Sequence, residues 1–154
     1  MLKKVKKAKR TATGERYAIV ASEYNGKYVG AMLRAAVVVL KQAGAAEVKV
    51  VRVPGAFEIP VVASRLAHAA PSYAAIICLG VILRGATTHA QSISDVVSFA
   101  LGTLALQNDL PVIHEVLLLE NDQQARERCL GKDHNRGAEA AHTAITMARV
   151  LKGL

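Results

Sequence analysis

Residues 73–89 read YAAIICLGVILRGATTH, and this stretch decides the fold. Tyr73 to Leu79 is an uninterrupted apolar run of strand length, of the kind buried on both faces of a parallel sheet. Gly80 to His89 follows as a loop with two glycines, an arginine, two adjacent hydroxyls and a histidine. A helical pattern begins at about Thr88 and runs to Asn108, with Ile93, Val96, Val97, Ala100, Leu101 and Leu104 on one stripe. A strand that ends in a Gly-rich turn and feeds a helix offers unpaired backbone N–H groups and a positive helix end. The expectation here is an anion site with a titratable imidazole, His89, at its edge.

The same alternation continues on both sides. Upstream, Arg16 to Ser22 (RYAIVAS) reads as a first strand, with Asn25 placed to cap a helix from Tyr28 to Ala43 that stops at Gly44. Glu47 to Val53 (EVKVVRV) is a second strand, broken by Pro54-Gly55. Phe57 opens a second helix to about Ala70, with Pro60 tolerated in its first turn. Downstream, Pro111 to Leu118 is a fourth strand. Glu120-Asn121-Asp122 starts a short helix to Leu130, residues 131–137 form a loop, and Ala138 to Leu151 is a last Ala-rich helix. Strands alternating with helices imply right-handed crossovers and a parallel sheet. The expected fold is α/β, a three-layer α/β/α sandwich with a four-stranded parallel sheet, flavodoxin-like.

Composition sets the class. The chain has 154 residues, enough for one domain with a sizeable core, and 52% of them are hydrophobic, which argues against disorder. The net charge of +8 resembles a nucleic-acid signal until it is located. Residues 1–10 hold six Lys or Arg and no acid; the remainder has 14 basic and 12 acidic residues and is near balance. Residues 1–13 are therefore read as a basic, flexible arm and 14–154 as the folded domain. The arm lacks interleaved aromatics, so nucleic acid is not an expected partner beyond nonspecific attraction to the arm. No apolar run follows the basic start, and none is long enough to span a bilayer, so no signal peptide and no membrane association are expected. Cys78 and Cys129 have no CxxC partner, which suits a reducing, cytoplasmic setting.

Parallel sheets bind ligands beyond the carboxyl ends of their strands. That rule gathers Tyr24-Asn25, Ala56-Phe57-Glu58, Leu83 to His89 and His114 to Leu118 at one edge. Aromatic faces suit a planar heterocycle, a carboxylate suits polyol or ring N–H groups, and Gly85 to Thr88 suit phosphate. Each residue also has a structural reading. Tyr24 and Phe57 fit a core, Glu58 a helix-start acid, His89 a structural helix-end residue, and Arg128 a solvated helix face. Walker A, GxGxxG, HExxH and GxSxG motifs are absent, and His68, His134 and His142 lack metal-ligand spacing.

Val53-Pro54-Gly55-Ala56-Phe57-Glu58-Ile59-Pro60 and Gly80 to His89 together closely resemble the 6,7-dimethyl-8-ribityllumazine synthase family, and the likeness runs in order through residues 16–151. It takes in Ser22 to Asn25, Gln124 to Arg128 and Asn135 to Ala141. The resemblance implies condensation of 5-amino-6-(D-ribitylamino)uracil with 3,4-dihydroxy-2-butanone 4-phosphate, the penultimate step of riboflavin biosynthesis, with no metal and no organic cofactor. It implies that Tyr24 stacks on the pyrimidine, that Ala56, Phe57 and Glu58 hold the ribityl chain, and that Val81, Ile82 and Leu83 read the pyrimidine edge. It puts Gly85, Ala86 and Thr87 on the phosphate side, makes His89 the proton-transfer residue, and pairs Arg128 with the phosphate. Arg136 stands where a second basic residue is common. It further implies a homo-oligomer whose site takes its fourth-strand and Arg128 segments from a neighbouring subunit. The family builds pentamers, in some members twelve of them as a 60-subunit shell. The loop 131–137 has no insertion relative to the shell-forming members.

The chain departs from the family pattern at three places. Gln91 replaces a common acid two residues after the histidine. His114-Glu115 replaces Phe-Gly on the fourth strand, so that His114 is expected to lie flat on the pyrimidine, and Leu118 replaces a common Thr. Gln91 and His114 are the features that favour a second reading, a shell or ligand-binding protein without turnover.

Overall fold

Strand β2, Glu47–Val53, runs over the residues that the alternation marks, because Gly44 before it and Pro54-Gly55 after it punctuate the pattern on both sides. The computed structural model describes residues 11, 12 and 14–154. Residues 1–10 and 13 of the stretch read from the sequence as a basic arm (1–13) lie outside the described ones. The remaining elements are β1 (Arg16–Ser22), α1 (Gly26–Gln42), a 3-10 turn (Ala56–Glu58), α2 (Ile59–Ala67), β3 (Ala75–Leu83), α3 (His89–Asn108), β4 (Val112–Leu119), α4 (Asp122–Cys129) and α5 (Arg136–Lys152).

The four strands form one parallel sheet in the order β2-β1-β3-β4. Helices α1, α4 and α5 cover one face, around Tyr28, Met32, Leu40, Ala125, Ala141 and Ile145. Helices α2 and α3 cover the other, around Ile59, Ala63, Val97, Leu101 and Leu104. The three-layer α/β/α architecture is the expected one. Its core is mainly Ala, Val, Leu and Ile, with Tyr17, Tyr28, Met32 and Tyr73 buried among them.

Four local readings need correction. Strand β3 does not stop at Leu79; it continues through Gly80 to Leu83, paired in register with Val116 to Leu119. Gly80 is in the strand because a Cβ there would meet Val116 Cγ1 at 3.1 Å and both Ile59 Cδ1 and Ser22 Oγ at 3.3 Å. Close approach by neighbours, not a turn, is what the glycine serves. The loop is therefore only Arg84 to Thr88. Asn25 does not cap α1 with its side chain: its φ is 54°, and its Nδ2 donates to the Val81 carbonyl at 2.7 Å. Helix α2 ends at Ala67, three residues short of the expected end, since Pro71 disfavours helix in the residue before it. Helix α5 starts at Arg136, two residues early, because Asn135 Oδ1 accepts from the N–H groups of Gly137 (2.8 Å) and Ala138 (3.2 Å).

Candidate active site

A pocket of about 820 Å³ opens at the carboxyl ends of β1, β2 and β3. Each strand contributes the residues just beyond it. After β1 come Tyr24 and Asn25, after β2 come Gly55 to Glu58, and at the end of β3 come Val81 to Leu83 with Gly85 and Thr87. The first turns of α3 supply His89, Ala90, Ser92, Ile93 and Val96. Tyr24 and Phe57 are 74% and 58% exposed, so they are not core residues. They flank the opening with apolar faces that a planar ligand would cover.

Hydrogen bonds fix the frame. The Asn25 bond to the Val81 carbonyl ties the β1 loop to the pocket floor. The Gly55 N–H donates to Glu58 Oε2 at 3.0 Å, which holds the carboxylate at the start of the α2 turn with its other oxygen available. At the base of the phosphate-side turn, the Arg84 N–H donates to the Leu119 carbonyl at 2.8 Å and Arg84 Nε to Glu120 at 2.9 Å. The turn is thereby strapped to the end of β4. The N–H groups of Gly85, Ala86 and Thr87 have no hydrogen-bond partner among the described residues. They precede the positive end of the 20-residue helix α3.

His89 is the first residue of α3 and is exposed at the pocket wall. Gln91 does not turn to it. Its Oε1 accepts from Arg84 at 2.8 Å and its Nε2 donates to Asp95 at 2.8 Å. No spacing rule reports this Arg84–Gln91–Asp95 chain or marks Gly55, Ser92, Ile93 and Val96 as pocket residues, whereas Asn25 stands at the edge where the carboxyl-end rule puts it.

Four of the expected site residues do not line this pocket: Ala86, His114, Arg128 and Arg136. Ala86 lies on the turn itself, exposed. The other three belong to β4, α4 and α5. His114 pairs with Cys78, well back from Val81 to Leu83, and faces α3. Its Nδ1 accepts from the Val116 N–H at 3.1 Å. That bond leaves the ring proton on Nε2, which lies 2.7 Å from Ser98 Oγ. Desolvation lowers its pKa, in keeping with this neutral tautomer. Arg128 is exposed on α4 and has no hydrogen bond or ion pair among the described residues. Arg136 is bound on its own chain to Glu115 and Glu139.

The sequence profile of the 6,7-dimethyl-8-ribityllumazine synthase family matches residues 14–152. The chain belongs to this family. The 6,7-dimethyl-8-ribityllumazine synthases of two Clostridium kluyveri strains are each 39% identical to it over 153 residues, covering 98% of this chain and 99% of theirs. Lumazine synthases are oligomeric enzymes that act on small molecules. Among the described residues, no helix is long and apolar enough to cross a membrane. The pocket in one protomer holds every expected pyrimidine and ribityl residue except His114, and every expected phosphate residue of the β3–α3 turn except Ala86.

Proposed function

We propose that the chain condenses 5-amino-6-(D-ribitylamino)uracil with 3,4-dihydroxy-2-butanone 4-phosphate to give 6,7-dimethyl-8-ribityllumazine, phosphate and water. The observation that carries this reading is the pocket itself. Two exposed aromatics, a partly satisfied carboxylate, a turn of unpaired N–H groups and an imidazole converge there, on a chain of this family.

The pyrimidine lies against Tyr24, with Val81 to Leu83 along its edge. Its ribityl chain runs past Ala56 and Phe57 to Glu58, whose carboxylate accepts from the hydroxyls. The butanone phosphate places its anion at Gly85, Ala86 and Thr87, where backbone N–H groups and the α3 dipole favour negative charge. The 5-amino nitrogen attacks the ketone, and water leaves to form the imine. Loss of a proton from the adjacent carbon and departure of phosphate give an enol that tautomerises to a ketone. The ribityl-bearing nitrogen closes the ring on that carbonyl, and a second water leaves. His89 moves protons between these stations. The reaction needs no metal and no organic cofactor.

His114 and Arg128 complete the site from an adjoining protomer, with Arg128 meeting the phosphate and the neutral His114 ring lying on the pyrimidine. The working unit is a homopentamer, and the short 131–137 loop favours twelve pentamers in a 60-subunit shell. Residues 14–154 form the enzymatic domain, preceded by the basic arm. The two free cysteines are both buried, which suits a reduced cytoplasmic protein. Particle size by electron microscopy separates pentamer from shell. Incubation of the purified chain with both substrates tests the reaction, with a lumazine formation rate well above the spontaneous background as the expected result. Tight pyrimidine binding without turnover would instead support the ligand-binding alternative, which the engagement of Gln91 away from His89 favours.

A further inference from the structure

Glu115 is the only buried residue with a charged side chain among the described residues, 8% exposed in β4. Its neighbour His114 turns to α3, whereas Glu115 turns to the opposite layer and the start of α5. Both of its oxygens are taken by one guanidinium. Arg136 Nε donates to Oε2 at 3.0 Å and Nη2 to Oε1 at 2.9 Å, a fork-to-fork pair. Arg136 Nη1 donates to Glu139 Oε2 at 2.8 Å, so two carboxylates share one cation. Arg128, across the loop from Arg136, is close enough to act on the Glu115 charge but has no hydrogen bond or ion pair among the described residues.

The basic surface formed by α4 and α5 thus holds two arginines in unequal states. One is neutralised twice over in fixed bidentate geometry, and the other is exposed and uncommitted. A phosphate dianion approaching Arg136 would compete with two carboxylates and meet their repulsion. Burial raises the pKa of Glu115 more than Arg136 lowers it, so this carboxylate is a poor choice for stability alone.

We propose that Glu115 withholds Arg136 from the substrate phosphate, leaving Arg128 as the single side-chain cation that the phosphate meets. The inference rests on the reading of the chain as a lumazine synthase whose phosphate site is completed by α4 and α5 of an adjoining protomer. Its consequence is weaker retention of product phosphate, which one arginine holds less tightly than two.

The test uses the assembled enzyme at constant ionic strength, with inorganic phosphate as the probe and lumazine formation as the second readout. Glu115→Gln removes the bidentate charge on Arg136, leaving it only Glu139, and is expected to tighten inorganic phosphate inhibition about tenfold, the effect of one added charge-assisted hydrogen bond. KM for the butanone phosphate falls in parallel, and KM for the pyrimidine stays where it was. The double variant Glu115→Gln/Arg136→Gln loses that gain. Phosphate binding by Glu115→Gln that is unchanged or weaker overturns the proposal. If Glu115→Gln does not fold, Arg136→Gln decides alone: phosphate affinity near that of the parent supports the proposal, and a loss as large as that of Arg128→Gln overturns it. A parent enzyme that makes no lumazine would overturn the underlying assignment instead, whereas normal turnover with an unresponsive Glu115→Gln overturns only the role of Glu115.

Discussion

Replacing Gly137 with alanine tests the packing that places α5 and the arginine at its start. Gly137 is the second residue of α5 and lies against the backbone of α1. A Cβ there would meet the Met32 carbonyl oxygen at 2.0 Å, its carbon at 2.4 Å and its Cα at 2.5 Å. Carbon contacts settle at about 3.5–4.0 Å, so the two helices must part by more than about 1 Å. All three atoms are backbone, and no side-chain rotation relieves the clash. The interface that opens holds Met32 with Ala36, Ala140, Ala141 and Ala144, and the small alanine side chains pack only at short range. At an unpacked helix position the same substitution stabilises by about 0.5–1 kcal/mol, so the sign alone discriminates. Overpacking a well-filled core costs about 1–3 kcal/mol, and this clash belongs at the upper end. Net of helix propensity the expected loss is about 2 kcal/mol, or roughly 4–8 °C in Tm for a chain of this size. The assay is thermal or urea unfolding at a fixed protomer concentration, because assembly couples to stability. A Gly137→Ala protein as stable as the parent would refute the close approach of α1 and α5.

His89→Ala is expected to slow lumazine formation by about 10²–10⁴-fold with little change in either KM, the range for a lost proton-transfer group; an unchanged kcat contradicts that role. Asn25→Ala leaves the Val81 carbonyl without its side-chain donor and puts alanine at a φ of 54°, and should cost about 1–3 kcal/mol in urea unfolding. A neutral result would show that this bond does not hold the pocket floor. His114 has a folded pKa below its ordinary 6.5, so the unfolded chain takes up its proton first. Its contribution to stability is complete above pH 6.5 and is lost as pH falls from there through the folded value. Nearby Glu115, with its pKa raised, contributes in the opposite sense, losing stability as pH rises above 4.5. His114→Phe should therefore flatten the loss of stability just below pH 6.5, and an unaltered slope in that window would contradict the neutral ring.

The sheet was legible because its strands are bounded by strong punctuation. Gly44 and Pro54-Gly55 bound β2, and the apolar run before Gly80 marks β3, without reference to partners. The errors arose where a residue has a tertiary job that imitates a local one. Gly80 resembles a turn glycine but is a packing glycine inside β3. Asn25 resembles a cap but holds the neighbouring strand. Asn135 is a true cap in what reads as a loop, and it moved the start of α5. At the site, the carboxyl-end rule of parallel sheets was enough to bring Tyr24, Phe57, Glu58, Leu83 and His89 to one pocket, while Val81 and Ile82 were marked only by the family resemblance. His114, gathered by the same rule, lies further back along β4 beside Ser98 on its own chain, so its place at a site depends on an adjoining protomer. The Glu115–Arg136 pair spans 21 residues and two layers, and no periodicity or spacing rule reports such a contact.

A lumazine synthase site shared between protomers allows two defective variants to complement each other when mixed. His89→Ala and Arg128→Ala are each impaired, one in proton transfer and the other in phosphate binding. Co-assembled in equal amounts, about one site in four should combine an intact His89 from one protomer with an intact Arg128 from its neighbour. Lumazine formation recovering toward a quarter of the parental rate is the predicted result. A mixed assembly no faster than the average of the two variants alone would contradict a shared site.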